Sequence, residues 1–267
     1  MKAFRPAIII ASVTGLLFGL LSLSSDDSHS NLADNQYLVI TVQGKIVFEQ
    51  TGSEMKRGDT YLKGSPLNFI TKTARAAIAN KKDGRFIITG NKKGKVSMLP
   101  AANPISSRSG SLLNIVDLKN LFEGRLCILD QLRLKIGDEG FPQGEDAYFY
   151  VTYDYNGEII PKKLGHDGEF LIIDKNELFK VDGKAIPVEE KEMTFYYKGV
   201  DKLYKISKFT PVFPDMEVLK EETILLLKAG DYVTDRDRID HLSSFIEDFY
   251  GKPDIENLRV WLKKEFK

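Results

Sequence analysis

The sequence predicts a mostly β, α+β protein: a small β-sandwich or barrel-like module, then a β meander with carboxyl-terminal helices. Three features predict it. From Tyr37 to Leu99, short apolar runs are punctuated by turn residues at a spacing of about 8 to 12 positions, the rhythm of small sandwiches and barrels. After Tyr148, the pairs Asn156-Gly157, Asp167-Gly168 and Asp182-Gly183 separate strand-like segments, as hairpin turns do. Beyond Pro214 the apolar spacing lengthens to three and four.

The chain opens with Lys2 and Arg5, and Ala7 to Leu23 is then apolar apart from small and hydroxyl residues. A basic start, an apolar stretch and small residues near its end are the layout of a secretory signal, with Ser22 and Ser24 at the −3 and −1 positions of a cleavage after Ser24. Left uncut, residues 7–24 anchor the chain in a membrane with its bulk outside. Both readings give an extracytoplasmic protein of the periplasm or cell envelope. Residues 25–36 form a polar linker.

Strands are expected at 37–42, 45–50, 66–71, 74–79, 85–89 and 95–99, with turns at Thr51-Gly52-Ser53, Asp83-Gly84 and Lys93-Gly94. A Pro, Ser and Gly cluster at 100–111 separates this basic β module (37–100) from an α+β module (112–267). There, Asp117 caps a short helix that Gly124 closes, and a single strand is expected from Leu126 to Ile136. Phe149, Val151 and Tyr153 alternate with Tyr148, Tyr150 and Thr152 before the Asn-Gly turn. More strands follow at 169–173, 193–197 and 202–207. Met216, Leu219, Thr223, Leu226 and Leu227 share one helical face, although 223–228 reads equally as a buried strand. Residues 235–250 form an amphipathic helix capped by Thr234 or Asp235, and Pro253 and Asp254 open a last one carrying Leu258, Trp261 and Leu262.

Most chemistry finds no footing. The three histidines are scattered: His29 in the linker, His166 in a hairpin turn, His241 on a polar helical face. With no HExxH, no histidine pair four apart and no CxxC, no metal site and no cofactor is expected. Gly90 to Lys95 is one residue short of a phosphate loop, and no GxSxG elbow exists, so no catalytic residue is assigned. Asp138, Glu139, Glu145 and Asp146 surround Phe141 as a solvated loop or, alternatively, as the carboxylates of an envelope glycan hydrolase. The lone Cys127, in an apolar run, reads as a small buried hydrophobe, and an exported chain with one cysteine has no internal disulfide.

Charge is more informative. The net charge is zero, yet residues 44–99 carry 12 basic and 4 acidic side chains, while residues from 100 onward are net acidic. Lys81, Lys82 and Arg85 flank one predicted turn, and Lys92, Lys93 and Lys95 the next. Two adjacent basic tips suit a phosphate or carboxylate polymer, which outside the cytosol means lipid headgroups or an anionic envelope polymer more than nucleic acid. The bland reading is lysines that keep a β edge soluble. Tyr148, Tyr150 and their neighbours place rings on both faces of one strand. One face must be core; the other is expected under the terminal helices, with a ligand platform as the alternative.

Residues 37–99 also carry Gly44-Lys45-Ile46-Val47, Lys56-Arg57-Gly58-Asp59, Gly64-Ser65-Pro66-Leu67, the Thr73 to Ile78 strand and Asp83-Gly84-Arg85-Phe86. In this order they resemble the periplasmic β domain of FecR-type proteins. The resemblance implies a β-helical or sandwich-like sensing or binding module without enzymatic activity. Control of a sigma factor is not implied, because only six residues precede the apolar run. The expectation is thus a non-enzymatic envelope binding or scaffold protein, with an accessory subunit docked on an envelope protein as a further alternative.

Overall fold

Strands β1 (Gln36–Gln43), β2 (Ile46–Phe48), β3 (Thr60–Leu62), β4 (Leu67–Phe69), β5 (Arg75–Asn80), β6 (Gly84–Gly90) and β7 (Val96–Pro100) build the amino-terminal part. The computed structural model describes residues 32–90, 96–100, 114–137, 139–230 and 232–266. The expected signal or anchor, the 101–111 part of the boundary cluster, and Lys92, Lys93 and Lys95 lie outside the described residues. Five strands form an antiparallel sheet in the order β3-β1-β5-β6-β7, and β2 pairs with β4 beside it. The β5–β6 turn forms where Asp83-Gly84 predicts it. Asn80 holds it: its side chain accepts the N–H groups of Lys82 and Asp83 and donates to the Gln36 carbonyl at 2.6 Å.

Strand β5 is buried on both faces. Ala76 and Ile78 join Tyr37, Val39, Ile46, Met55, Leu67 and Ile88 in one core. Ala77 and Ala79 join Ile40 on the other side, in a core shared with the carboxyl-terminal helices. Alanine there lets helix approach sheet closely, which a larger side chain would prevent.

The rest of the chain runs α1 (Ile115–Leu121), β8 (Gly124–Cys127), β9 (Gln131–Lys135), β10 (Tyr148–Tyr155), β11 (Glu158–Lys163), β12 (Gly165–Asp167), β13 (Phe170–Asp174), α2 (Lys175–Leu178), β14 (Lys180–Val181), β15 (Lys184–Ala185), β16 (Met193–Lys198), β17 (Leu203–Val212), α3 (Met216–Ala229), α4 (Asp235–Tyr250), β18 (Lys252–Pro253) and α5 (Ile255–Glu265). Six strands form a sheet in the order β11-β10-β16-β17-β8-β18, and β12-β13-β9 form a second, smaller one. Between them lies the largest core: Phe149, Val151, Phe195 and Phe209 of the first sheet, Leu132, Leu134, Leu171 and Ile173 of the second, closed by Phe122 and Phe179.

Two expectations need correction. The single strand 126–136 is two, because Asp130 adopts a left-handed φ of 65° and turns the chain from one sheet into the other. The cap of α1 is Asn114, whose side chain accepts the N–H groups of Val116 and Asp117, so Asp117 sits inside the helix. Of the two readings of 223–228, the helical one holds, within α3. Thr234 does cap α4, in a reciprocal box with Asp237.

Helices α3 to α5 lie against Ile40, Ala77 and Ala79 of the five-stranded sheet, against Cys127 on β8 of the six-stranded sheet, and against Leu129. Sequence segments 37–100 and 112–267 therefore share a hydrophobic layer. Among the described residues no helix is long and apolar enough to cross a membrane.

Candidate functional site

Strand β10 alternates strictly, with Phe149, Val151 and Tyr153 buried and Tyr148, Tyr150 and Thr152 half-buried on the opposite face. Strand β16 repeats the pattern: Phe195 and Tyr197 point into the core, Thr194 and Tyr196 away from it. On β10 and β16 no residue of this second face belongs to a hydrophobic core among the described residues. The expected cover of terminal helices lies elsewhere, over the five-stranded sheet. An antiparallel sheet with one solvated face is common; a solvated face built around tyrosine is less so.

The pairing register arranges that face in rows. Tyr150 sits opposite Lys163 on one side and Tyr196 on the other, and Tyr196 sits opposite Lys205. This gives a Lys205–Tyr196–Tyr150–Lys163 row across four strands. Next to it, Lys198 pairs with Tyr148. A bulge in β17 places this charge: the register shifts between Phe195 and Tyr196, passing over Ile206. Lys205 and Lys208, an odd number of positions apart, thereby reach the same face; without the bulge one would point into the core.

The rings of Tyr150 and Tyr196 stack, with centroids 4.9 Å apart and planes 9° from parallel. Tyr148 lies 6.1 Å from Tyr150 and holds two cations against its ring, Lys163 Nζ at 4.4 Å and Lys198 Nζ at 5.2 Å. Lys163 also donates to the Gly144 carbonyl at 3.1 Å, which ties this row to the 139–147 loop. Burial and then the neighbouring phenols of Tyr196 and Tyr148 push the Tyr150 hydroxyl above its ordinary pKa, so it stays a neutral donor. Among the described residues none of Lys163, Lys198 and Lys205 has a carboxylate partner. Glu192 pairs with Lys208 instead, and Asp154 accepts the Gly157 N–H, both toward the far end of the face.

The basic residues singled out from sequence behave differently from one another. Lys81 and Lys82 are exposed at the β5–β6 turn. Next to them Asp83 pairs with Lys63 and accepts the Tyr37 hydroxyl, so the turn carries its own counter-charge. Arg85 points inward. Its side chain is 3% exposed, bonded to Asp248 at 2.7 Å and to Ser244 at 2.7 Å, with the Phe245 ring 5.8 Å away. Burial lowers its pKa and Asp248 opposes that shift. Arg85 thus clamps β6 to α4. The same interface buries Glu222 of α3, which accepts the Tyr250 hydroxyl at 2.7 Å and lies 3.9 Å from Arg57. Desolvation raises the Glu222 pKa, against hydrogen bonds from Thr41 and Tyr250 and the Arg57 charge.

The other candidates are plain. Glu139, Glu145 and Asp146 are exposed around a buried Phe141. The pocket of about 500 Å³ beside that loop is lined by Phe141, Tyr197, Val200 and Tyr204, and among the described residues Asp201 is its single acid. Cys127 is buried, which pushes its thiol up to about 12. His241 packs its ring 5.0 Å from Tyr232. Among the described residues no cluster could hold a metal ion. No protein-family model matches the chain, and no curated protein matches it as a relative.

Lys163, Lys198, Lys205 and Tyr196 have no place among the residues expected from sequence. The signal was present: β10 and β16 both alternate apolar with tyrosine or threonine, and β16 ends on Lys198.

Proposed function

We propose that the protein is a non-enzymatic binding or scaffold protein of the cell envelope, working outside the cytosol, and that it contacts an anionic partner through the tyrosine–lysine face of its six-stranded sheet. One observation carries the reading: among the described residues, three ammonium groups without carboxylate partners stand around three tyrosines of β10 and β16 on a face that no core covers there. Such a surface draws polyanions by charge and holds them by donated hydrogen bonds. The basic start and apolar run at residues 2–23 support the compartment, and the FecR-type resemblance of residues 37–99 supports a binding module rather than an enzyme.

Retention of the full-length protein on its native envelope fraction tests this. Retention should fall as salt rises and fall again for the Lys163→Gln, Lys198→Gln, Lys205→Gln triple variant. Retention indifferent to both salt and the triple substitution would end the proposal.

A further inference from the structure

We infer that the partner of this face is a linear oxyanion polymer laid across the strands, gripped by hydroxyl and ammonium donors rather than by ring stacking. The inference rests on the binding role proposed above and names the chemistry of what is bound.

Ring stacking is already used up within the protein. Tyr150 and Tyr196 stack on each other at 4.9 Å, and Tyr148 carries the ammonium groups of Lys163 and Lys198 against its ring. A nucleobase or a bare sugar face would have to displace these contacts. What the row offers outward is donors. An ammonium group only donates, and a phenol held above its ordinary pKa remains an O–H. The nearest acids on the face are engaged, Asp154 by the Gly157 N–H and Glu192 by Lys208. A surface whose charged groups around the tyrosines are ammonium donors favours phosphate or carboxylate oxygens.

Direction follows from the register. Lys205, Tyr196, Tyr150 and Lys163 lie on four successive strands. At about 4.8 Å per strand the row spans roughly 14 Å. A single anion reaches one end of it, whereas a chain of anions crossing the strands engages both lysines and the two phenols between them. A bilayer fits less well: the exposed apolar residues of this face, Ile159 on β11 and Leu203 on β17, stand on opposite sides of the tyrosines rather than together.

Calorimetric titration of the full-length chain decides the matter, using polygalacturonate as a carboxylate polymer, inorganic polyphosphate, monomeric galacturonate, and phosphatidylglycerol vesicles. At least one polymer should bind, its identity distinguishing a carboxylate from a phosphate source, and the monomer should bind at least about tenfold more weakly. Tyr150→Phe and Tyr196→Phe keep the rings and remove the hydroxyls; each should lower polymer affinity roughly fivefold with an unchanged melting curve. If both phenylalanine variants bind like the parent while Lys163→Gln and Lys205→Gln lose affinity, the donor reading is overturned and the binding role stands. Binding to vesicles but to neither polymer overturns the inference in favour of a lipid surface. If polymers and vesicles alike fail to bind, both the inference and the role it rests on fall.

Discussion

The two large sheets share an antiparallel core of strands but meet their surroundings in opposite ways. The five-stranded sheet is covered on both faces, by Ile46, Met55 and Leu67 of the segments between β1 and β5 on one side and by α3 to α5 on the other. Over β10 and β16 the six-stranded sheet is covered on one face only, although on β8 Cys127 joins the core of the helices. Side-chain size and charge account for the difference. Where the helices dock, β5 presents Ala77 and Ala79; where nothing docks, β10 and β16 present Tyr150, Thr152, Thr194 and Tyr196, with lysines on either side. A helix placed over that second row would have to bury ammonium groups, at a cost of several kcal/mol each. Charged groups do occur at the covered interface, but they have partners: Asp248 for Arg85, and the Tyr250 hydroxyl for Glu222.

The comparison breaks most sharply at Asp248. Its replacement by alanine leaves the Arg85 guanidinium buried and uncompensated, and should lower stability by about 3–5 kcal/mol in a urea titration. A loss near zero would mean that the helices hold the first sheet without this clamp. Ala77→Leu should cost about 1–3 kcal/mol by overpacking the helix-covered face. Thr152→Leu, on the open sheet, should stay within roughly 0.5 kcal/mol of the parent. Equal costs for the two leucines would erase the distinction between covered and open faces.

Acidity sharpens the same contrast. The folded-state pKa of Glu222 lies above its ordinary value of 4.5, so the folded chain binds this proton more tightly than the unfolded one. Its penalty is absent below the ordinary value and grows as pH rises from there through the folded-state pKa. Glu222→Gln should therefore flatten the decline of stability with rising pH across that window. Titrations that overlay parent and variant at every pH would contradict the burial of this charge. The smallest effect belongs to the turn: Lys82→Ser should change the unfolding free energy by less than roughly 0.5 kcal/mol, since its side chain is exposed.

Local features of the fold were legible in the sequence. Asn156-Gly157 forms its turn with both residues at positive φ, 55° and 84°, because only such a pair suits a two-residue hairpin. The Thr234 cap, the buried Cys127 and the mostly β, α+β class were readable for the same reason: each depends on neighbours in sequence. Long-range placement was not. Nothing near Arg85 in the chain announces Asp248 and Ser244, which arrive from α4 about 160 residues later. Nothing in the apolar run 126–136 marks Asp130 as the point where the chain leaves one sheet for another. The tyrosine strand was identified as two-faced, but which face the helices would choose depended on alanines in a different sheet. The lysines of the site come from three strands joined only by register, and one of them reaches the face through a bulge.

The most direct measurement is a map of backbone amide shifts in the full-length protein as an anionic polymer is added. The account predicts that the perturbed residues cluster on β10, β11, β16 and the first half of β17, centred on Tyr150 and Tyr196, while the β5–β6 turn around Lys81 and Lys82 stays silent. Perturbation centred on that turn, with the tyrosine strands unmoved, would contradict it.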